Sequence, residues 1–161
     1  MGSPRLFSVL LMVSTLLQSN LAALETNTVY HIKNVDDNTF LKVDSGGRAC
    51  WNIGLVGTSS TLDATSISQR WLYNAGLPGS GYLEITDYNS DLALNELSMY
   101  SRDPWCYFAI REIKITPVSG NIYKLQDSNG GCLMSNGDGR RISWWPNCEG
   151  NGKLQWEFIK A

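Results

Sequence analysis

The residues of this chain with chemistry to offer are four cysteines, a single histidine and a set of tryptophans flanked by amide and acidic side chains. Cys50, Cys106, Cys132 and Cys148 stand 56, 26 and 16 residues apart, which fits no zinc-ligand spacing. An even cysteine count fits disulfides formed in an oxidising compartment. A hydrolytic triad or a histidine-ligated metal would have to be built on His31 alone, and no nucleophile motif accompanies it. Lying between Tyr30 and Ile32, His31 reads as an exposed strand residue turned away from the apolar side. Asp36–Asp37 and Asp87–Asp91 sit in turn-forming stretches and read as turn residues rather than as the acid–base pair of a glycosidase. The acidic loops lack the residue order of an EF-hand, so neither a metal nor a cofactor is expected. Trp144–Trp145 is a different case. Consecutive strand residues face opposite ways, so burying one presents the other beside Pro146 and Asn147 as an aromatic platform. Trp51–Asn52 and Trp105 repeat that chemistry more weakly.

The elements that carry these residues are strands. From Thr28 onward the pattern is short apolar alternation broken by Gly, Asn, Asp and Ser, with no stretch of helical spacing. Tyr30–Ile32, Phe40–Val43, Trp71–Tyr73, Leu83–Ile85, Phe108–Ile110, Ile113–Ile115, Tyr123–Leu125 and Trp156–Phe158 each put alternate side chains on one face. Asp36–Asp37–Asn38, Asp87–Asp91, Asp127–Gly131 and Asn136–Gly139 predict tight loops with positive φ.

These segments recur in order. Tyr30-x-Ile32 is followed by Phe40–Leu41, Leu83-x-Ile85 by Leu92–Ala93, and Tyr123-x-Leu125 by Cys132–Leu133. An aromatic-bearing strand comes next in each, around Cys50–Trp51, Leu97–Tyr100 and Ile142–Trp145. Each unit closes on an aromatic-x-apolar or aromatic pair: Trp71-x-Tyr73, Phe108-x-Ile110 and Trp156-x-Phe158. A threefold repeat of about four short strands predicts an all-β, β-trefoil fold, because no single unit can bury its apolar face alone. The units are expected at about 28–80, 81–120 and 121–161. Trp71, Tyr73, Trp156 and Phe158 are its expected barrel filling.

Ahead of this domain, residues 1–23 carry Arg5, an apolar run from Leu6 to Leu17 and small residues at Ala22–Ala23, the pattern of a cleaved secretory signal peptide. The run is too short to span a bilayer. The mature domain is then 24–161, secreted and extracellular, with no transmembrane segment. The whole chain has 13 Lys+Arg against 15 Asp+Glu, a formal charge of −2, and losing Arg5 takes it to −3. A mildly acidic surface without a basic run argues against nucleic acid as partner.

At the level of motifs, Gln69–Arg70–Trp71 resembles the Gln-x-Trp that closes each subdomain of ricin B-chain-type β-trefoil lectins, and Trp156 stands at the matching end of the third unit. Cys132–Leu133 followed by Trp144–Trp145–Pro146–Asn147–Cys148 resembles that family's cysteine pair, with Trp-Pro just before the second cysteine. The resemblance implies a Cys132–Cys148 disulfide and leaves Cys50 and Cys106 as a possible bridge between the first two units. It also implies a sugar site with an aspartate acceptor, a stacking ring and an amide. The aspartate position is filled here by Lys42, Leu94 and Met134, so the family's standard galactose geometry is not expected. Displaced acceptors remain, Asp44 near Trp51 and Asp138 near Trp145, with Asn52 and Asn147 as the amides.

The function expected from these readings is non-enzymatic binding of glycans on glycoproteins or glycolipids. The alternative is a protein-binding trefoil, a protease inhibitor or toxin-like subunit with decayed sugar sites, acting through the Ser/Thr-rich stretch Ser59–Ser68.

Overall fold

A computed structural model describes residues 23–45, 54–85, 92–95, 98–101 and 112–161. Twelve strands are found among the described residues. They are β1 Thr28–Asn34, β2 Phe40–Ser45, β3 Gly54–Ser59, β4 Trp71–Ala75, β5 Ser80–Ile85 and β6 Leu92–Asn95, then β7 Ser98–Ser101, β8 Ile113–Ser119, β9 Ile122–Gln126, β10 Cys132–Met134, β11 Ser143–Trp145 and β12 Trp156–Lys160. Short 3₁₀ turns at Ile67–Gln69 and Gly152–Leu154 lead into β4 and β12.

Six strands close on themselves: β1 pairs β4, β4 pairs β5, β5 pairs β8, β8 pairs β9, β9 pairs β12 and β12 returns to β1. Closure removes the sheet edges. The other six form the hairpins β2–β3, β6–β7 and β10–β11, each continuing from a barrel strand. Six barrel strands and three capping hairpins are a β-trefoil. The first and third units repeat in register, for Tyr30 stands opposite Trp71 as Tyr123 stands opposite Trp156.

Alternation explains the core. Ile32, Leu41, Trp71, Leu83, Ile85, Leu125, Leu133 and Trp156 are fully buried, with Tyr73 and Phe158 beside them, so the expected barrel filling is found. Phe158 takes Tyr30 and Tyr123 edge-on, at 5.6 and 5.2 Å between centroids. Loops with positive φ occur at Asn38, Gly130, Gly137 and Gly139, where the turn residues predicted them. The expected turn at 87–91 and the strand at Phe108–Ile110 lie outside the described residues.

The strand expected around Cys50–Trp51 lies outside the described residues; the described partner of β2 is Gly54–Ser59, with Phe40 opposite Ser59 and Val43 opposite Val56. One expectation is corrected. His31 is buried, 4% exposed, although it does face away from Ile32. The segment leading into β4 lies over it, and its Nδ1 donates to the Gln69 carbonyl at 3.0 Å. A period-2 pattern reports which face a residue takes but not what packs on that face.

Candidate functional site

The third capping hairpin presents the most developed surface. Trp144 and Trp145 do face opposite ways: Trp144 lies opposite Leu133 and packs against the core, while Trp145 lies opposite Cys132 and is 48% exposed. The burial of Trp144 leaves its indole Nε1 without a hydrogen-bond partner.

Beside Trp145 the chain turns back through Pro146–Asn147 to Cys148, and the expected Cys132–Cys148 disulfide ties that turn to β10, with the Cα atoms 5.4 Å apart. Two side chains from β9 fix it further. Lys124 Nζ donates to the Cys148 carbonyl, and Gln126 Nε2 lies 3.2 Å from Cys148 Sγ. Gln126 is itself oriented by Thr116, whose hydroxyl donates to Oε1 at 2.9 Å. Asn147 accepts the Glu149 amide at 2.9 Å through Oδ1, which directs its Nδ2 donors outward. The register Gln126↔Cys132↔Trp145 sets these three residues abreast on the side of the sheet away from Leu133 and Trp144, with Cys132 itself fully buried. The result is an exposed indole on a braced lip, rimmed by an amide and an ammonium. An aromatic face stacks on the C–H face of a sugar, and the rim groups supply hydrogen-bond donors to its hydroxyls.

Asp138 belongs to another part of the surface. It sits in the loop beyond the Met134↔Ser143 end of the hairpin, whereas Trp145 sits at the Cys132 end, two residues or about 7 Å of strand further on. Its carboxylate accepts the Ser60 amide at 2.6 Å and the Ser60 hydroxyl at 2.8 Å. Those bonds, aided by the Gly139 amide and the Lys42 charge, hold the Asp138 carboxyl below its usual range. The pairing of Asp138 with Trp145 in one site is therefore not found, because the loop folds over Thr58–Ser60 instead; Gly139 N donates to Thr58 O at 2.9 Å. Asp44 lies on β2 opposite Leu55. Trp51, Asn52, Trp105, Cys50 and Cys106 lie outside the described residues.

The Ser59–Ser68 stretch is exposed at Ser60–Thr65 and heavily braced. The buried Gln69 side chain reaches both sides of Leu62, accepting the Asp63 amide at 2.7 Å and donating to the Thr61 carbonyl at 2.9 Å. Asp63 accepts from Thr65 and Ser66, which keeps its carboxyl below the ordinary value. Leu62 is left 38% exposed at the apex.

Sequence reasoning did not single out Lys124 and Gln126. Their alternation with Tyr123 and Leu125 places them outside the barrel, but only the fold brings them to Cys148. Among the described residues no group of three or more His, Cys, Asp or Glu could hold a metal ion, and no helix is long and apolar enough to cross a membrane.

No protein-family sequence model matches the chain, and no curated protein matches it by sequence. Solved structures do match. A salivary protein from Culex quiquefasciatus of the Cysteine and Tryptophan-Rich family aligns with a TM-score of 0.63 at 17% identity, over 88% of this chain and 99% of that one. A Macrolepiota procera ricin B-like lectin in complex with lactose aligns at 0.60 and 16% identity, over 87% and 100%. SeviL bound to asialo-GM1 saccharide aligns at 0.57 and 17% identity, over 84% and 99%. The chain spans 37% of Cry35Ab1 and 31% of 1,3Gal43A, an exo-β-1,3-galactanase from Clostridium thermocellum. The fold is thus a β-trefoil, the architecture these proteins share. It is a fold on which carbohydrate binding is found, and the likeness at these identities is one of architecture.

Proposed function

We propose that this chain is a secreted, non-enzymatic carbohydrate-binding trefoil, released from its 1–23 leader, that recognises glycans on glycoproteins or glycolipids. The observation that carries the reading is Trp145, nearly half exposed on a lip held by a disulfide and two β9 side chains. A large aromatic costs free energy to leave in water, and its rigid setting suits it to stacking. Asn147 supplies donors at the same lip, and Trp51, Asn52 and Asp44 are the corresponding candidates of the first unit. Asp138 contributes through the Ser60 contact, as a support for the neighbouring loop. Two saccharide complexes among trefoils of this architecture, with lactose and with asialo-GM1 saccharide, support the ligand class. The burial of His31 against a carbonyl supports the non-enzymatic reading, since the one histidine of the chain is withdrawn from solvent. An open site of this kind binds a monosaccharide on the order of millimolar and gains by multivalency. A glycan array tests the reading: the disulfide-intact protein binds at least one glycan, and Trp145→Ala loses it. An array silent for both proteins would overturn it.

A second reading, contact with a protein partner such as a protease, is favoured by the braced Leu62 loop, which is preorganised and presents an apolar apex. Inhibition of a serine protease by the wild-type chain, lost in Leu62→Asp, distinguishes it from sugar binding.

A further inference from the structure

The outward row that contains Trp145 does not end at Gln126. Across the next strand Gln126 stands opposite Lys114, so β8, β9, β10 and β11 set Lys114, Gln126, Cys132 and Trp145 abreast on one face. Thr116↔Lys124 is the adjacent outward row. Lys114 is exposed, and among the described residues its ammonium has neither a hydrogen-bond nor an ion-pair partner. Lys124 uses one ammonium proton on the Cys148 carbonyl, at the lip beside the indole, and keeps two more for a ligand. The middle of the row is filled by the disulfide and by Gln126, whose amide is already committed to Thr116 and Cys148. At about 4.8 Å per strand the row runs on the order of 14 Å from Trp145 to Lys114, so a ligand stacked on the indole meets ammonium groups along its length.

Four acidic groups border this face. Glu112, two residues before Lys114 on the same side of β8, has its carboxylate bonded by the Ser80 and Tyr82 hydroxyls and the Leu77 amide, and Glu157, opposite Ile122, accepts from Asn121 Nδ2 at 3.3 Å. Asp127 turns its Oδ1 into its own loop, accepting the amides of Asn129 and Gly131 at 2.9 and 2.7 Å. Glu149 is exposed, one residue beyond Cys148. Among the described residues none of the four forms an ion pair with Lys114 or Lys124. The position at which ricin B-type trefoils would offer an aspartate acceptor is Met134, so the rim here donates hydrogen bonds and offers cations.

We infer that the saccharide taken by this face is acidic, carrying a carboxylate or a sulfate that pairs with Lys124 and Lys114. The inference rests on the carbohydrate-binding reading and names its substrate class. Charge-assisted hydrogen bonds from an ammonium favour an anionic oxygen over a neutral hydroxyl.

The test compares lactose, 3′-sialyllactose and 3′-sulfolactose on the full, disulfide-intact chain, at low and at high salt. The expected result is tighter binding of at least one acidic sugar at low salt, by about two- to fivefold for each lysine engaged, with the advantage shrinking at high salt. The carboxylate and sulfate arms show which anion fits. Lys114→Gln and Lys124→Gln each lower the acidic-to-neutral affinity ratio; Lys114→Gln, being exposed and unbonded, does so without disturbing the lip. Equal binding of neutral and acidic sugars, or an advantage unchanged in both variants, overturns the inference and leaves the carbohydrate reading standing. Absence of any glycan binding, here and on a full array, removes that reading and this inference with it.

Discussion

The indole nitrogen of Trp156 donates to the carbonyl of Leu133 at 2.9 Å, deep in the barrel, and the first unit repeats the arrangement with Trp71 and Leu41 at 3.0 Å. Each ring fills the core and satisfies the carbonyl of the second residue of its hairpin strand. Trp144, by contrast, buries an indole N–H with no acceptor. Trp156→Phe therefore loses volume and orphans a carbonyl, and should cost about 2–4 kcal/mol. Trp144→Phe removes an unsatisfied donor and should cost less than about 1 kcal/mol. Urea denaturation of the two variants checks the contrast; equal costs would refute it.

The Cys132–Cys148 bridge closes a loop of 16 residues. Reduction, or Cys148→Ser, should lower stability by roughly 3 kcal/mol in the chain-entropy account. It should also weaken glycan binding, because the lip beside Trp145 then loses its covalent tie to β10 and keeps only non-covalent contacts, those of Lys124, Gln126 and Gly130 among them. Glycan binding that is undiminished in a still-folded Cys148→Ser protein would show that the lip does not matter.

Acid sensitivity should concentrate where the first and third units meet. Asp37 accepts the Ser135 hydroxyl at 2.5 Å and the Thr39 hydroxyl at 2.6 Å, while Asn34 donates to the Lys153 and Gln155 carbonyls. Burial alone would raise the Asp37 carboxyl, but the bonds from Ser135 and Thr39, with the Lys153 charge, together hold it below its ordinary 3.8. A depressed folded value means stability that is present above the ordinary carboxylate range and lost as pH falls through the folded value. Asp37→Asn should thus be less stable near neutrality and should lose less on acidification. Denaturant midpoints measured from neutral to acid pH decide it; parallel curves for wild type and variant would count against it.

Gln69 braces the Leu62 loop from within. Gln69→Ala strands the Asp63 amide and the Thr61 carbonyl and should cost about 1–3 kcal/mol. Limited proteolysis should then cut within Ser60–Thr65 faster than in wild type. An unchanged digestion pattern would mean that the other loop contacts suffice.

Much of this architecture was written in local pattern. Tyr30–Ile32, Leu83–Ile85 and Tyr123–Leu125 alternate because one face of each strand meets the barrel interior, and Gln69-x-Trp71 marks the return of a unit. Period and turn chemistry are properties of neighbours along the chain, so the strands, the tight loops and the opposite orientations of Trp144 and Trp145 could be read from it. What stands over an outward-facing residue is not such a property. The segment before β4 buries His31, the hairpin loop carries Asp138 to Ser60 and away from Trp145, and β9 brings Lys124 and Gln126 to Cys148. Those relationships join residues from 22 to 78 positions apart, and closure of the barrel decided them, because only a closed sheet determines which strands and loops become neighbours.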